Sequence, residues 1–88
     1  MNYSMTVYFN PSCGPCNALK DWLKENNIRY VGKDIINDVA AAKEFREYKQ
    51  SGVPFSVIEE NGEKFTVLGA NIKKISRILD LDKKEALR

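Results

Sequence analysis

The feature that most restricts the fold of this 88-residue chain is a Cys-Gly-Pro-Cys stretch between a strand-like run and a helix-like run. Residues 5–9 form a short β-rich run, which predicts a strand, and residues 10–12 interrupt it. Apolar residues then recur at helical spacing from 13 to about 26, which predicts an amphipathic helix. Its inner face carries Ala18, Leu19, Trp22 and Leu23. A proline in its first turn fits a helix start, because the missing N–H has no intrahelical partner to lose.

The rest of the chain continues the alternation of strands and helices. Asn61-Gly62 fits the tight turn of a hairpin, because both residues tolerate a positive φ. Asn37-Asp38 is an N-cap signal for a second helix. The predicted elements after the first helix are a strand from 28 to about 35, a helix over 39–49, strands at 55–58 and 65–68, and a last helix beginning after 71.

The order βαβαββα predicts an α/β fold built on a four-stranded mixed sheet. A right-handed crossover makes the first two strands parallel, and the hairpin makes the last two antiparallel. Helices then have to cover both faces of the sheet. We expect residues 1–81 to form one domain and residues 82–88 to form a polar C-terminal tail.

The positions of the two cysteines predict different roles for them. A cysteine just before a helix faces unpaired N–H groups and the positive end of the helix dipole, both of which favour the thiolate. We therefore expect Cys13 to have a lowered pKa, to act as the nucleophile and to be alkylated first. Cys16 follows within one turn, points more inward, and is close enough to resolve a mixed disulfide formed on Cys13.

A structural disulfide, or two unrelated core thiols, is the alternative interpretation of this pair. A disulfide that closes so few residues removes little entropy from the unfolded chain, and core thiols seldom flank Gly-Pro at a helix start. The chain has no histidine, which excludes a Cys–His thiolate pair and zinc sites that need His. Two cysteines cannot fill four tetrahedral positions, so we expect no closed metal site within one chain.

Three features together resemble the thioredoxin superfamily: the Cys-Gly-Pro-Cys motif after the first strand, Val53-Pro54 before the third, and a glycine after the fourth. The short βαβαββα plan resembles the glutaredoxin branch over essentially the whole chain. The dipeptide Gly14-Pro15 inside the motif resembles thioredoxins, and such motifs accompany a more reducing potential. The resemblance implies a thioredoxin/glutaredoxin fold and a thiol-disulfide oxidoreductase that reduces disulfides in proteins or small molecules.

The resemblance also implies a second half of the site. In this superfamily the X–Pro peptide bond before the third strand is cis and lies against the motif cysteines. The backbone of the residue before the proline pairs with an extended substrate. We therefore assign Val53 and Pro54 to substrate binding.

The glutathione-binding features of many glutaredoxins are only partly present. Those proteins carry Lys or Arg three residues before the first cysteine, where this chain has Asn10. They also carry paired glycines and then an Asp near the last helix, where this chain has Gly69, Ala70 and Asn71. We assign Gly69, Ala70 and Asn71 to substrate binding by resemblance, and we expect Asn71 to cap the last helix. We expect no tightly bound cofactor, with glutathione or thioredoxin reductase as alternative reductants.

Three narrower functions stay open at this point. The first is a dedicated electron donor to ribonucleotide reductase, the second is an iron–sulfur-bridged glutaredoxin dimer, and the third is a non-catalytic binding domain that kept the fold. A cluster needs four ligands, and the neutral Asn10 argues against glutathione as one of them.

The composition argues against two classes of partner, nucleic acids and membranes. The net charge is only +2, and no basic run interleaves with aromatic residues, which argues against nucleic acid. No window approaches the ~20 apolar residues of a membrane span, and the first residues lack signal-peptide features. We expect a cytoplasmic monomer without a nucleic-acid or membrane partner. Lys20 and Lys33 are candidates to supply charge near the site, but no motif fixes either one, and we expect both to be solvated.

Overall fold

A computed structural model describes residues 3–79 of the chain. Its elements follow the predicted order βαβαββα. They are β1 (Tyr3–Phe9), α1 (Gly14–Glu25), β2 (Val31–Asp34), α2 (Val39–Glu47), β3 (Phe55–Glu60), β4 (Glu63–Leu68) and α3 (Ile72–Ile78). The predicted polar tail at 82–88 lies outside the described residues.

The four strands form one mixed sheet in the order β2-β1-β3-β4, as predicted. β1 and β2 are parallel, whereas β1 with β3 and β3 with β4 are antiparallel. Tyr8 near the end of β1 lies opposite Lys33 on β2 and Phe55 on β3. The end of β1 and the start of β3 therefore meet at the same edge of the sheet.

Helices cover both faces of the sheet, as predicted. Side chains alternate between the two faces along each strand, so that Val7 and Tyr8 on β1 enter different clusters. The cluster beneath α1 and α3 contains Met5, Val7, Leu19, Leu23, Ile28, Ile58, Val67, Ile75 and Leu79. The cluster beneath α2 contains Tyr8, Phe55 and Val57, with Ile35, Phe45 and Tyr48 packed against it.

The structure corrects three local expectations. Ala18 is exposed and not on the inner face of α1, where the fully buried Cys16 lies instead. The second strand begins at Val31, because at Ile28 the chain is still turning away from the end of α1, and the Ile28 N–H donates to the Leu23 carbonyl at 2.9 Å. The helix α2 ends at Glu47, two residues before the predicted end.

No helix within residues 3–79 is long and apolar enough to cross a membrane.

Candidate active site

Cys13 occupies the N-cap position of α1. Its backbone is extended (φ −86°, ψ 116°), and its Sγ accepts a hydrogen bond from the Cys16 N–H at 3.2 Å. The turn that precedes the helix is fixed by the Cys13 N–H, which donates to the Asn10 carbonyl at 2.9 Å. The Asn10 side chain accepts from the Ser12 N–H at 2.8 Å, so its amide oxygen serves this turn. An N-cap side chain normally satisfies a free N–H of the first turn, and here a sulfur does so.

The two sulfurs differ in exposure. Cys13 is partly exposed, and Cys16 is fully buried at 0% exposure, which confirms that Cys16 is the less accessible of the two. Burial, reinforced by the hydrogen bond with Cys13, raises the pKa of the Cys16 thiol to about 11. Cys16 is therefore a thiol at neutral pH. Both cysteines are free thiols in this structure.

Val53 and Pro54 adjoin the first cysteine. The Cys13 Sγ lies 3.9 Å from the Val53 carbonyl oxygen, and the Val53–Pro54 peptide bond is cis, as the resemblance implied. Pro54 is buried, whereas Val53 is partly exposed. Within residues 3–79, neither the N–H nor the C=O of Val53 takes part in a backbone hydrogen bond. The Val53 carbonyl is therefore within reach of the Cys13 thiol, and the Val53 N–H is available to another chain.

The segment after β4 joins this site through Pro54. The Gly69 N–H donates to the Pro54 carbonyl at 2.7 Å, and Gly69 adopts a positive φ of 86° that favours glycine. Ala70 is exposed. Asn71 caps α3 as expected, because its Oδ1 accepts from the Lys74 N–H at 3.1 Å. Gly69 is thus held against the Val53-Pro54 unit, whereas the Asn71 side-chain oxygen is used by its own helix.

Lys20 is a charged side chain that no sequence motif placed at the site. Its Nζ lies 3.8 Å from the centroid of the Phe9 ring, and its side chain is partly buried, so it is not simply solvated. Lys20 follows Cys16 by four residues on α1, and its positive charge opposes the rise in the pKa of Cys16. The i, i+4 spacing was a signal for this proximity.

Lys33 also has a partner and is not simply solvated. Its Nζ lies 2.6 Å from Glu44 Oε1, and the Tyr8 hydroxyl donates to the same oxygen at 3.0 Å. Lys33, followed by Tyr8, lowers the pKa of Glu44, while burial raises the pKa of Tyr8. Tyr8 and Glu44 line a cavity of about 310 Å³ together with Glu47, Tyr48 and Lys64. This cluster ties α2 to the sheet on the face opposite the buried Cys16.

No group of three or more His, Cys, Asp or Glu side chains in the described part of the chain is arranged to hold a metal ion.

Comparison with known proteins identifies the family that this chain resembles and several similar proteins. The sequence model of the glutaredoxin family matches residues 3–63. An uncharacterised glutaredoxin-like 8.6 kDa protein of the rubredoxin operon of Clostridium pasteurianum is 32% identical over 75 residues, which cover 84% of this chain and 95% of that protein. The global transcriptional regulator Spx 1 of Bacillus cereus is 31% identical over 74 residues, 81% of this chain, but the match spans only 56% of Spx 1.

Solved structures show the same architecture. A thioredoxin-like protein, crystallised as a point mutant, superposes with a TM-score of 0.72 at 32% identity, covering 88% of this chain and 95% of that chain. The reduced thioredoxin pre-protein of Schistosoma mansoni also gives a TM-score of 0.72, at 26% identity, covering 90% of this chain and 77% of that one. The fold predicted from the sequence is therefore confirmed.

Proposed function

Because this chain belongs to the glutaredoxin family, we propose that it reduces disulfides of proteins or small molecules through Cys13 and Cys16. One observation supports this proposal most strongly. A partly exposed sulfur caps a helix and accepts an N–H, while a buried thiol follows within one turn. This is the arrangement that a two-step dithiol exchange needs, since one sulfur has to meet the substrate and the other has to stay out of reach of it.

In the first step the Cys13 thiolate attacks one sulfur of the substrate disulfide. The substrate S–S bond breaks, a mixed disulfide forms with Cys13, and the other substrate sulfur leaves with the electron pair and takes up a proton. The Cys16 N–H at 3.2 Å and the start of α1 both stabilise negative charge on the Cys13 sulfur.

In the second step Cys16 attacks the Cys13 sulfur of the mixed disulfide. A Cys13–Cys16 disulfide forms, and the substrate sulfur is released as a thiol that carries the proton Cys16 gave up. The substrate gains two electrons in total and the protein loses two. Since burial raises the pKa of Cys16 to about 11, the removal of its proton is the demanding part of this step.

Substrate binding is proposed for the surface next to Cys13. An extended substrate segment pairs with the free backbone groups of Val53, and Gly69 leaves room for it because it carries no side chain. The hydrogen bond from Gly69 to Pro54 keeps these two parts of the site together. Ala70 and Asn71 extend this surface toward α3.

We propose a flavoprotein reductase of the thioredoxin reductase class as the source of electrons. Asn10 is neutral at the position where glutathione-binding relatives carry a cation, and its side-chain oxygen is engaged by Ser12. Asn71 uses its side-chain oxygen as a helix cap. Both residues are neutral and their side-chain oxygens are already engaged. They are therefore expected to bind the carboxylates and the ammonium of glutathione more weakly than the charged residues found at these positions in many glutaredoxins. A dedicated donor to ribonucleotide reductase is one specific case of this function.

The test is NADPH consumption with the neutral hydroxyethyl disulfide as substrate. Thioredoxin reductase is compared with glutathione plus glutathione reductase, and Cys13→Ser serves as the control for each. We expect turnover with thioredoxin reductase that Cys13→Ser abolishes. Turnover with glutathione alone would reassign the reductant, and no turnover in either system would refute the function. A visible absorbance band in the purified protein would instead support the iron–sulfur alternative.

A further inference from the structure

Three segments near Cys13 carry positive charge and no acidic residue, although Asp21 directly follows the first of them and Asp34 on β2 lies at the same edge of the sheet. These segments are residues 10–20 before and within α1, residues 48–58 around Pro54, and residues 68–79 after β4. They contain five cations and no acidic residue, whereas the remaining described residues contain six cations and nine acids. The cations are Lys20, Lys49, Lys73, Lys74 and Arg77.

Contacts in the structure bring these segments together. The Cys13 sulfur lies 3.9 Å from the Val53 carbonyl, and Gly69 donates to Pro54 at 2.7 Å. Helix α3 starts three residues after Gly69, and its seven residues span only about 10 Å. Lys73 and Lys74 are exposed in its first turn. Lys73 and Lys74 therefore lie close in the chain to the segment that the Gly69–Pro54 hydrogen bond holds beside Cys13.

Most acidic residues lie elsewhere. Glu59, Glu60 and Glu63 surround the β3–β4 turn, at the opposite end of strand β3, which is about 20 Å long. Asp34 is the exception, because it pairs with Phe9 at the Cys13 edge of the sheet, and its pKa is lowered by the hydrogen bond from Asn37 with a further contribution from Lys20. The Asp34 carboxylate accepts hydrogen bonds from the N–H groups of Ile36 and Asn37 in the turn before α2, and the Asp38 carboxylate accepts from N–H groups of the first turn of α2.

The cations near the site are also free of ion pairs within the described part of the chain. The ion pair that residues 3–79 contain is Lys33 with Glu44, on the α2 face. Residues 80–88 lie outside the described part, and their three acids and three bases sum to zero formal charge.

Two apolar side chains accompany this charge. Leu68 is 49% exposed at the end of β4, and Ile72 is 37% exposed at the start of α3. They flank the 69–71 segment beside Pro54. These two side chains and the backbone N–H of Val53 lie on segments that the hydrogen bond from Gly69 to Pro54 joins, and Lys73 and Lys74 follow Ile72 in the first turn of α3.

We propose that the partner reduced at Cys13 presents its disulfide in an acidic polypeptide segment. This inference rests on the proposed function and specifies its substrate class. The cations are distributed over three separate segments, a wider surface than the two carboxylates of a glutathione molecule occupy. Charge of one sign around a reactive group steers oppositely charged partners toward it and repels like-charged ones.

The experiment compares two synthetic peptides with the same disulfide loop, flanked by four glutamates in one and four lysines in the other. The rate of their reduction by pre-reduced protein is measured in single turnover, so that no reductase is needed. We expect the acidic peptide to react about tenfold faster at low salt, and the difference to fall below about twofold near 0.5 M NaCl.

Charge reversal locates the effect. The double variant Lys73→Glu/Lys74→Glu is expected to slow reduction of the acidic peptide about fivefold and to leave hydroxyethyl disulfide unaffected. The matched control is Lys24→Glu/Arg29→Glu, which makes the same change in charge at the far end of α1 and beside Tyr3, away from Cys13. Lys49→Glu is a second variant, independent of α3.

The outcomes separate the inference from the function on which it rests. Equal rates for the two peptides, or equal effects of the site and control variants, would overturn the acidic partner while hydroxyethyl disulfide is still reduced. Faster reduction of glutathione disulfide than of the acidic peptide would show that the substrate is a small-molecule disulfide and not an acidic polypeptide. Failure to reduce any of these disulfides would remove the proposed function and the inference together.

Discussion

At the scale of single residues, the two cysteines differ because the helix start places one at its cap and the other in its first turn. Cys13 accepts the Cys16 N–H at 3.2 Å and borders solvent, whereas Cys16 is fully buried. The same backbone geometry thus gives two identical side chains different environments. This difference underlies the division of roles proposed for them.

Alkylation measures this difference directly. The pKa of Cys16 is raised to about 11, so its thiolate fraction at pH 8 is roughly a thousandth and grows about tenfold per pH unit below 11. We expect iodoacetamide to modify Cys13 in the reduced protein at pH 7–8 well before Cys16. Peptide mass spectrometry after quenching and unfolding gives both rates, and equal rates at the two sulfurs would reject the assignment.

Lys20 provides a second test at this scale. Its positive charge opposes the raised pKa of Cys16, and its stem lies over the Phe9 ring. We expect Lys20→Met to raise the pKa of Cys16 further and to slow release of the mixed disulfide about two- to fivefold at neutral pH. Thiolate absorbance at 240 nm reports the pKa. Lys24→Met, on an exposed position of the same helix, is the control and is expected to change neither quantity.

Ser56 is a buried polar residue with a testable energetic role. It is 0% exposed on β3, opposite Val7, and its hydroxyl has no hydrogen-bond partner among the described residues. A buried hydroxyl without a partner destabilises the folded state, so Ser56→Ala is expected to raise the free energy of unfolding by about 1 kcal/mol. Urea denaturation of the reduced proteins measures this. A loss of stability would show that the hydroxyl has a polar partner in solution.

At the scale of elements, the helix starts were the most predictable features and the helix ends the least. Proline in the first turn of α1 and Asp38 before α2 mark starts whose chemistry is local. The end of α2 was not predicted because Tyr48 caps it and Lys49 adopts a positive φ of 54°. A lysine side chain does not indicate that conformation. Asn27 similarly turns the chain with a φ of 56° and delays β2.

The N-cap of α2 yields a prediction at this scale. Asp38 accepts from the N–H groups of Ala40 and Ala41 at 3.0 and 3.3 Å. Asp38→Ala leaves both groups without this partner and is expected to lower the free energy of unfolding by about 1 kcal/mol. Asp38→Asn keeps an accepting oxygen and is expected to lose much less. Equal losses for the two variants in urea denaturation would contradict a capping role.

At the scale of the whole molecule, the sequence was sufficient for the fold because its signals agree. Alternating strands, an Asn-Gly turn and amphipathic helices each favour the same mixed sheet. Cys13 and Cys16 could be located from the motif alone, and Val53-Pro54 from family resemblance. The inward position of Cys16 was predicted from its spacing to Leu19, whereas the exposure of Ala18 depends on how the helix rotates against the sheet.

Contacts between distant residues could not be predicted. Lys33, Glu44 and Tyr8 come from three elements, and only the sheet register and the docking of α2 bring them together. The hydrogen bond from Gly69 to Pro54 likewise depends on the pairing of β3 with β4. The concentration of cations on three segments near Cys13 also emerges only when these segments are considered together. Such features belong to the assembled molecule and not to any single stretch of sequence.

The most direct test of the central claim is to trap the mixed disulfide. Reduced wild type, Cys16→Ser and Cys13→Ser are each mixed with the same disulfide peptide, and their intact masses are measured without reducing agent. We expect Cys16→Ser to retain one peptide on Cys13, wild type to lose two hydrogen atoms and retain no peptide, and Cys13→Ser to form no adduct under the same conditions. An adduct on Cys16 in the Cys13→Ser protein at a comparable rate, or no adduct on Cys13 in Cys16→Ser, would contradict Cys13 as nucleophile and Cys16 as the resolving thiol.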